Sequence, residues 1–449
     1  MQLPQTPPKL DILRDELSHG RSLRNLARAF DVAFKPTQNG QYRHWDKLRY
    51  LEPPEGLSHE HWWFAIKMAR SNMAHNLPLT DAERLYFTYA VPDAALEGTH
   101  KIDQLASGQI SSSEVVTNTS TRNRYLVNSL IEEAITSSQL EGASTSRKVA
   151  KDMIRSGRQP RTKSERMILN NYVAMRRIHS LQHEELSPDL ICELHRMVTD
   201  GTLDDPKDAG RLQTPQDTRV EVLWTRDKHA LKLHTPPPAE QLPQRMEAMC
   251  KFANGEEPEG FLHPVIRAIV LHFWLAYDHP FADGNGRTAR ALFYWSMLRQ
   301  NYWLVEYLTI SNILAKAPAR YARSFLYVET DERDLTYFIL FHLKVILRAI
   351  AELNEYLQRK MDEVKKIEAL VRNSARFNGR QIALIGHALR HPDASYTARS
   401  HGSSHNINQE TGRLDLIDLE NRGLLVREKI GKENHFFPPG DLPSKLRTV

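Results

Sequence analysis

The stretch from Pro264 to Tyr277, PVIRAIVLHFWLAY, is apolar on nearly every face of a helix. A helix with no polar face is a buried one, so this segment predicts a central helix beginning at Pro264. Other segments are one-sided. In RNRYLVNSLIEEAITSSQLEG, Leu130, Ile131, Ala134 and Ile135 recur at helical spacing, and Gly142 is placed to stop the helix. A basic loop, SGRQPRTKSER, separates it from a second helix, RMILNNYVAMRRIHSL. A third, SPDLICELHRMV, opens on a Ser187 cap with Pro188 at the first helical position. Residues 43–70 contain a Pro-Pro-Glu-Gly turn and then a helix capped by Ser58, in which Trp62 and Trp63 read as packing residues.

The period changes between 210 and 238. VEVLW and ALKLHT flank a polar turn and a triple proline follows, which predicts a β-hairpin. Val220, Glu221, Val222 and Leu223 fall on its first strand, and Leu231, Lys232 and Leu233 on its second. From Thr336 a single helical pattern continues to about residue 370 through Leu343, Ile346, Ile350, Leu353 and Leu357. Beyond it come a helix (RQIALIGHALRHP), a second helix (SHNINQETGRLDLIDLENRGLL) and two strands around Gly431. Helix, turn, helix and hairpin is the plan of a winged helix, with Leu414, Ile417 and Leu419 expected in its core. The fold class is therefore mainly α. Its parts are an N-terminal helical region (1–115), a helical core with a β-hairpin flap (116–335), a linking helix (336–370) and a C-terminal winged helix-turn-helix domain (371–449).

Composition narrows the class. With 449 residues the chain exceeds what one hydrophobic core usually organises, so two or three domains are expected. At 41% hydrophobic and 26% charged it reads as an ordinary globular protein. No apolar run is long enough for a bilayer, and the first residues carry no apolar signal core, so no membrane association and no secretion are expected. Two cysteines, Cys192 and Cys250, make no disulfide framework, which suits a cytoplasmic location. A net charge of +5 permits phosphate-bearing partners without requiring them.

The chemistry is concentrated directly after the apolar helix, in HPFADGNGRTAR, residues 279–290. Gly284, Asn285 and Gly286 lie where a new helix starts. Glycines let the backbone turn and approach a ligand closely, and the free N–H groups of a helix start hold anions. Arg287 and Arg290, one turn apart, add two permanent positive charges. Asp283 is a hard carboxylate suited to Mg²⁺ beside phosphates. His279 has the ordinary pKa of about 6.5 that suits a base at neutral pH, and Phe281 reads as the loop's anchor. A base, a metal ligand, a phosphate cradle and charge clamps together specify phosphoryl or nucleotidyl transfer. Neither a Walker P-loop nor a GxGxxG pattern is present. His263 and His272, in or beside the buried helix, read as structural. The histidines of HGSSH (401–405) lack a third ligand.

This motif resembles the Fic-domain signature HxFx(D/E)GNGRxxR, without departure. The resemblance extends over about residues 120–330 and implies a small helical core with a hairpin flap. The implied activity is AMPylation, in which a Ser, Thr or Tyr hydroxyl of a target protein, or of the chain itself, attacks the α-phosphate of ATP and pyrophosphate leaves. Carried onto this chain, it makes His279 the general base and Asp283 the Mg²⁺ ligand. Gly284, Asn285 and Gly286 become the anion hole, Arg287 a phosphate contact, and Arg290 the γ-phosphate contact. The flap, roughly Val220 to Thr235, would hold the target as an added strand. Relatives that transfer phosphate itself have Lys where this chain has Gly286. Adenine contacts lie outside the motif, and Tyr321 is one candidate.

SSQLEG, residues 137–142, is a polar helix end with Ser137 and Glu141 one turn apart. Ser137, Glu141 and Gly142 match the inhibitory motif (S/T)xxxE(G/N) that many Fic proteins carry, here on a helix of about 124–142. The resemblance implies that Glu141 pairs with Arg290 and blocks the γ-phosphate position. It also leaves open a de-AMPylating or bifunctional enzyme, in which Glu141 orients a water. A third reading is a DNA-binding regulator that uses the Fic core as a nucleotide sensor. Residues 371–449 hold twelve Lys/Arg against eight Asp/Glu, a net of +4. Asn406, Asn408, Gln409, Thr411 and Arg413 are the polar residues that could face a DNA groove. The other use of such a domain is protein contact or homodimerisation.

Overall fold

The computed structural model describes residues 3–11, 22–107, 119–226, 229–258, 260–372, 376–431 and 433–447. They divide into two compact units. One comprises the residues up to 107 with Ser129–Ile350, the other 119–128 with Ala351 onward. Among the described residues no helix is long and apolar enough to cross a membrane.

The first unit begins with α1 (Ser22–Ala33) and α2 (His59–Ser71), a hairpin of β1 (His75–Thr80) and β2 (Tyr86–Tyr89), and α3 (Asp93–Ala106). Helices α4 (Thr119–Leu140, of the first unit from Ser129 on), α5 (Arg147–Ser156), α6 (Lys163–Leu181) and α7 (Pro188–Thr199) lead to a second hairpin, β3 (Val222–Arg226) with β4 (His229–His234). Then come α8 (Leu242–Asn254), α9 (Pro264–Asp278), α10 (Asn285–Arg299), α11 (Ile310–Ala315), α12 (Pro318–Thr330) and α13 (Thr336–Arg372).

Local chemistry accounts for many of these boundaries. Thr162 accepts the Glu165 N–H at 3.1 Å to start α6, and Ser187 accepts the Leu190 N–H at 3.2 Å to start α7, with Pro188 in the first turn. Gly157 and Gly255 close α5 and α8 in the left-handed conformation. Helices α9 and α10 pack against each other at the centre. Every side chain of α9 from Val265 to Leu275 is buried, and so is every one of α10 from Arg287 to Leu298. The turn between them is therefore held from both sides by helices that cannot tilt without opening the core.

The N-terminal segment differs from the expected separate helical region. The β1–β2 hairpin is formed by HNLPLT and YFTY, with Leu77, Leu79 and Phe87 buried. Pro78 hides the strand in the sequence, since proline is tolerated only at strand edges. The Asp81 carboxylate shapes the turn by accepting the N–H groups of Glu83 and Leu85, each at 2.9 Å. This segment belongs to the same compact unit as the expected core because buried charges tie it there. Lys67 Nζ lies 2.8 Å from Asp331 Oδ1, and Arg70 Nη1 donates to the Tyr337 hydroxyl at 2.6 Å. Removing Asp331 would leave buried Lys67 with only the exposed Glu332 carboxylate, at 3.2 Å, as its counter-charge.

The second hairpin is shifted from its expected place. Val220 and Glu221 precede β3, which runs to Arg226, and a bulge lies between Val222 and Leu223, opposite Leu233. In the second unit, α14 (Gly379–Arg390), α15 (Ala398–Ser404) and α16 (Gln409–Asn421) precede a hairpin of β5 (Val426–Ile430) with β6 (Glu433–Phe437) and a short α17 (Leu442–Arg447). The helix expected from Ser404 onward begins only at Gln409, and a further helix, α15, ends at Ser404. Asn406 takes a left-handed φ of 51°, and Asn408 caps the second helix by accepting the Thr411 N–H at 2.7 Å. The core residue on α16 is Leu416, fully buried beside Leu419, whereas Leu414, expected inside, is 55% exposed. Asp415 ties the three helices together, accepting from Asn378 Nδ2 at 2.8 Å, Arg380 Nε at 2.7 Å and His401 Nε2 at 3.2 Å.

Candidate active site

The site is the turn from α9 to α10. His279 is the cap residue that follows α9, in the left-handed conformation (φ 46°, ψ 53°), and its N–H still donates to Leu275 O at 3.0 Å. Its Nδ1 lies 3.3 Å from Ala276 O, a group that can only accept, so Nδ1 carries the proton and Nε2 is left as a lone pair. Burial pushes this imidazole down to about 4. It is thus neutral at pH 7, the form a base requires.

The loop that follows is clamped from three directions. Phe281 is fully buried. Asn285 accepts the Phe281 N–H at 2.9 Å and donates to Phe281 O at 2.8 Å, so its amide closes the loop on itself. His195, on α7, stacks on the Phe281 ring at 3.7 Å and 5°. Its Nδ1 accepts the Gly210 N–H at 2.9 Å, which puts the proton on Nε2, and Nε2 donates to Asp283 O at 2.7 Å. Gly284 has φ +84°, and a Cβ there would stand 2.5 Å from Thr199 Cγ2, so only glycine fits.

The first turn of α10 presents the free N–H groups of a helix start. A carboxylate faces them. A Cβ on Gly286 would fall 2.1 Å from Glu141 Oε1, so the acidic group lies directly over that glycine. Arg290 Nη2 donates to Glu141 Oε1 at 2.8 Å and to Ser137 O at 2.9 Å, while its Nε donates to Ser137 Oγ at 2.8 Å. Burial alone would push the Glu141 carboxyl up, but Arg290, with Arg287 and His279 behind it, holds it below the ordinary carboxylate range. Arg290 is only 3% exposed and keeps its charge through the same pair. One turn and two turns before Glu141 on the same face of α4 are Ser137 and Glu133. Glu133 is buried, its carboxyl is pushed up by that burial, and it accepts the Ser311 N–H at 3.0 Å.

Arg287 points elsewhere. Its side chain is fully buried, Nη1 donates to Val198 O at 2.7 Å, and Nη2 lies 3.7 Å from Asp283 Oδ2. Residues three apart are neighbours on one helix face, but the two side chains take different partners, and of the two only Arg290 hydrogen-bonds Glu141. Nε and Nη2 of Arg287 have no hydrogen-bond partner. The Asp283 carboxylate is 54% exposed, with Oδ1 accepting the Gly284 N–H at 2.5 Å. Among the described residues no group of three or more His, Cys, Asp or Glu is gathered. A lone exposed carboxylate fits Mg²⁺ only as part of a shell completed by waters and phosphate oxygens.

Residues 185–297 match the Fic/DOC family. The chain carries a Fic domain. Over 119 residues it is 35% identical to the protein adenylyltransferase Fic of Nematostella vectensis, covering 26% of this chain and 24% of that protein. Over 123 residues it is 35% identical to the protein adenylyltransferase fic-1 of Caenorhabditis elegans, covering 27% of this chain and 21% of that one. The chain spans about a quarter of the length of these curated relatives. A Fic family protein from Desulfovibrio desulfuricans G20 superposes on 78% of this chain and 98% of its own with a TM-score of 0.51 and 16% identity, a likeness of fold.

The structure brings His279, Asp283, Gly284, Asn285, Gly286 and Arg290 of the Fic domain together with Ser137 and Glu141, which are 153 and 149 residues from Arg290. Gly142, at φ +91°, follows the end of α4. The Tyr321 hydroxyl stands 2.9 Å from His272 Nε2. In the second unit, Asn408 is used as a cap and Arg413 is paired with Glu410 at 2.6 Å. The sequence reading missed His195, the clamp made by the Asn285 side chain, and Arg219 and His234, which hydrogen-bond the backbone carbonyls of Asp278 and Tyr277. His195 had one visible signal, a histidine among the apolar positions of ELHRMV.

Proposed function

We propose that this chain is an auto-inhibited protein adenylyltransferase, moving AMP from ATP to a Ser, Thr or Tyr hydroxyl of a target protein or of itself. The observation that carries this reading is the Glu141–Arg290 pair lying over Gly286. A carboxylate occupies the helix start where the charge pattern calls for a polyphosphate. The named activities of the two relatives support the reading over the aligned Fic domain.

In the forward reaction the target hydroxyl oxygen forms a bond to the α-phosphorus. The bond from that phosphorus to the bridging oxygen breaks, and pyrophosphate leaves with the electron pair. His279 Nε2 takes the hydroxyl proton. The first-turn N–H groups at Gly284–Gly286 stabilise the charge that develops on the phosphate oxygens. Arg290, once released from Glu141, would hold the terminal phosphate. Asp283 would hold Mg²⁺, which when bound with ATP neutralises phosphate charge. Gly286 leaves room for the Glu141 carboxylate in the inhibited state, because any side chain there would enter its space.

The test is intact-mass spectrometry of wild type, Glu141→Gly and Glu141→Gly/His279→Ala after incubation with Mg²⁺ and ATP. An added AMP in the single variant, lost in the double one, is expected. No added mass in Glu141→Gly would defeat the self-modifying form of the proposal. A second reading rests on the Glu141 carboxylate lying over Gly286, beside the turn that carries His279, which suits a water directed at an AMP–protein bond. Wild type mixed with labelled, ATP-free Glu141→Gly protein would then remove the label.

The order of elements in the second unit suits a winged helix. Protein contact is the better reading of its use, since Arg413 is held by Glu410, Asn408 is a cap and Leu414 is exposed. Binding of labelled duplex DNA that weakens with salt would reverse that preference.

A further inference from the structure

The last four residues of a helix leave carbonyl groups without helical partners. The carbonyls of Tyr277 and Asp278 at the end of α9, and of His279 and Pro280 just after it, meet donors that all come from the flap or the segment leading into it. His234 Nε2 lies 2.7 Å from Tyr277 O. Arg219 Nη2 donates to Asp278 O at 2.7 Å, and Arg219 Nη1 to His279 O at 3.1 Å. The Gln213 N–H donates to Pro280 O at 2.8 Å. Four consecutive carbonyls, one of them belonging to the proposed base, are thus occupied by the strand end and the lead-in of one hairpin.

The donors are themselves held. Arg219 Nε donates to Pro237 O at 3.0 Å, beyond β4, and Nη1 also reaches Gln213 Oε1. The loop before it is braced by Asp217, which accepts from Arg211 Nη1 and from the Thr214 N–H, each at 2.7 Å. His234 Nδ1 lies 2.9 Å from Glu329 Oε2 on α12, so both ring nitrogens face acceptors. Arg219 therefore ties both ends of the hairpin to the turn that carries His279. A positive side chain at a helix C-terminus is also favoured by the helix dipole.

We propose that Arg219 and His234 are positioning residues that hold the β3–β4 flap and the His279 turn as one rigid piece. A peptide paired with the flap edge then presents its hydroxyl at a fixed distance from His279 Nε2. The peptide half of this statement rests on the adenylyltransferase reading; the mechanical half does not.

The experiment uses the full chain with Glu141→Gly as the parent and compares Arg219→Met, Arg219→Lys and His234→Gln within it. The rate of self-labelling from α-labelled ATP, MgATP affinity by calorimetry, and amide hydrogen exchange without nucleotide are measured on each. Arg219→Met is expected to lower labelling by about 10²-fold, the scale for small misplacements of reacting groups, with MgATP affinity unchanged. Exchange should rise together in residues 222–234 and 279–286, and Arg219→Lys should recover most of the labelling. His234→Gln keeps a donor to Tyr277 O and should give a smaller loss of the same kind. Parental labelling in Arg219→Met, or faster exchange confined to the flap, would overturn the proposal. If the parent itself labels nothing, the self-modifying form of the adenylyltransferase reading has failed, and joint or separate exchange of the two segments still decides the coupling.

Discussion

The two helix ends that meet at the site are filled in opposite ways. The carbonyls at the end of α9 are held by Arg219, His234 and Gln213, each of which has further partners and no reason to leave. The N–H groups at the start of α10 face a single carboxylate, Glu141, whose side chain remains 27% exposed. One end is fixed by the chain's own donors. The other is filled by an acceptor that a phosphate group resembles in charge. The difference teaches that the donor side of the turn is built for rigidity and the acceptor side for exchange.

Breaking the fixed side should be the costlier change. Asp278, at the end of α9, is buried and accepts from Arg245 Nε at 2.8 Å and Nη2 at 2.6 Å, and from Trp274 Nε1 at 3.0 Å. Arg245→Met leaves that carboxylate unpaired. Urea unfolding of the first unit should show a loss of about 3–5 kcal/mol. A loss too small to measure would mean that the carbonyl end of the turn is not the rigid one.

The exchangeable side should respond in function more than in stability. Glu141→Gln removes the charge but keeps the size of the side chain. MgATP affinity by calorimetry should rise about 5–150-fold, the usual range for one coupled pair, while the unfolding midpoint moves little. Equal affinity in the two proteins would show that Glu141 does not compete with phosphate.

Gly284 lies between the two regions. Gly284→Ala forces a Cβ into a left-handed conformation against Thr199 Cγ2, and a loss of about 1–2 kcal/mol is expected from the conformation alone. The same denaturation experiment measures it, and an unchanged midpoint would show that the turn is not held in that conformation.

The smallest effect is on pH dependence. Burial places His279 at about 4, so its neutral form persists as pH falls until that region. In the Glu141→Gly protein, kcat/KM should hold below the ordinary histidine range of about 6.5. Because the Glu141 charge raises this pKa, its removal shifts the acid limb further down. The brake follows the opposite group. Glu141 has a depressed folded-state pKa, so its pair with Arg290 is complete above the unfolded carboxylate value and is lost only as pH falls through the folded one. Neutral pH alone should therefore not release it.

The elements legible in the sequence are those written in short-range terms. Thr162, Ser187 and Pro188 mark helix starts by their own side chains and ring. The fully apolar register of α9 announces a buried helix wherever it packs. The central hairpin was visible but displaced, because its register includes a bulge at Leu233 that alternation does not encode. The β1–β2 hairpin was not visible, since Pro78 interrupts the pattern and the strands are stabilised by burial of Leu77, Leu79 and Phe87. The α15–α16 break depended on one left-handed asparagine, Asn406, and one cap, Asn408.

The sequence alone determined the composition of the phosphate cradle. His279 to Arg290 are contiguous, and the geometry of a helix start is set by the hydrogen bonds of its first turn. Tertiary structure decided which charge fills that cradle. Glu141 reaches Arg290 across 149 residues because the fold brings the end of α4 within hydrogen-bond reach of α10, and no local rule sets that distance. It also turned Arg287 inward to Val198 O and assigned Arg219 and His234 to the carbonyls of α9. Those partners are selected by the need to satisfy buried polar groups, and that need exists only once the chain is packed.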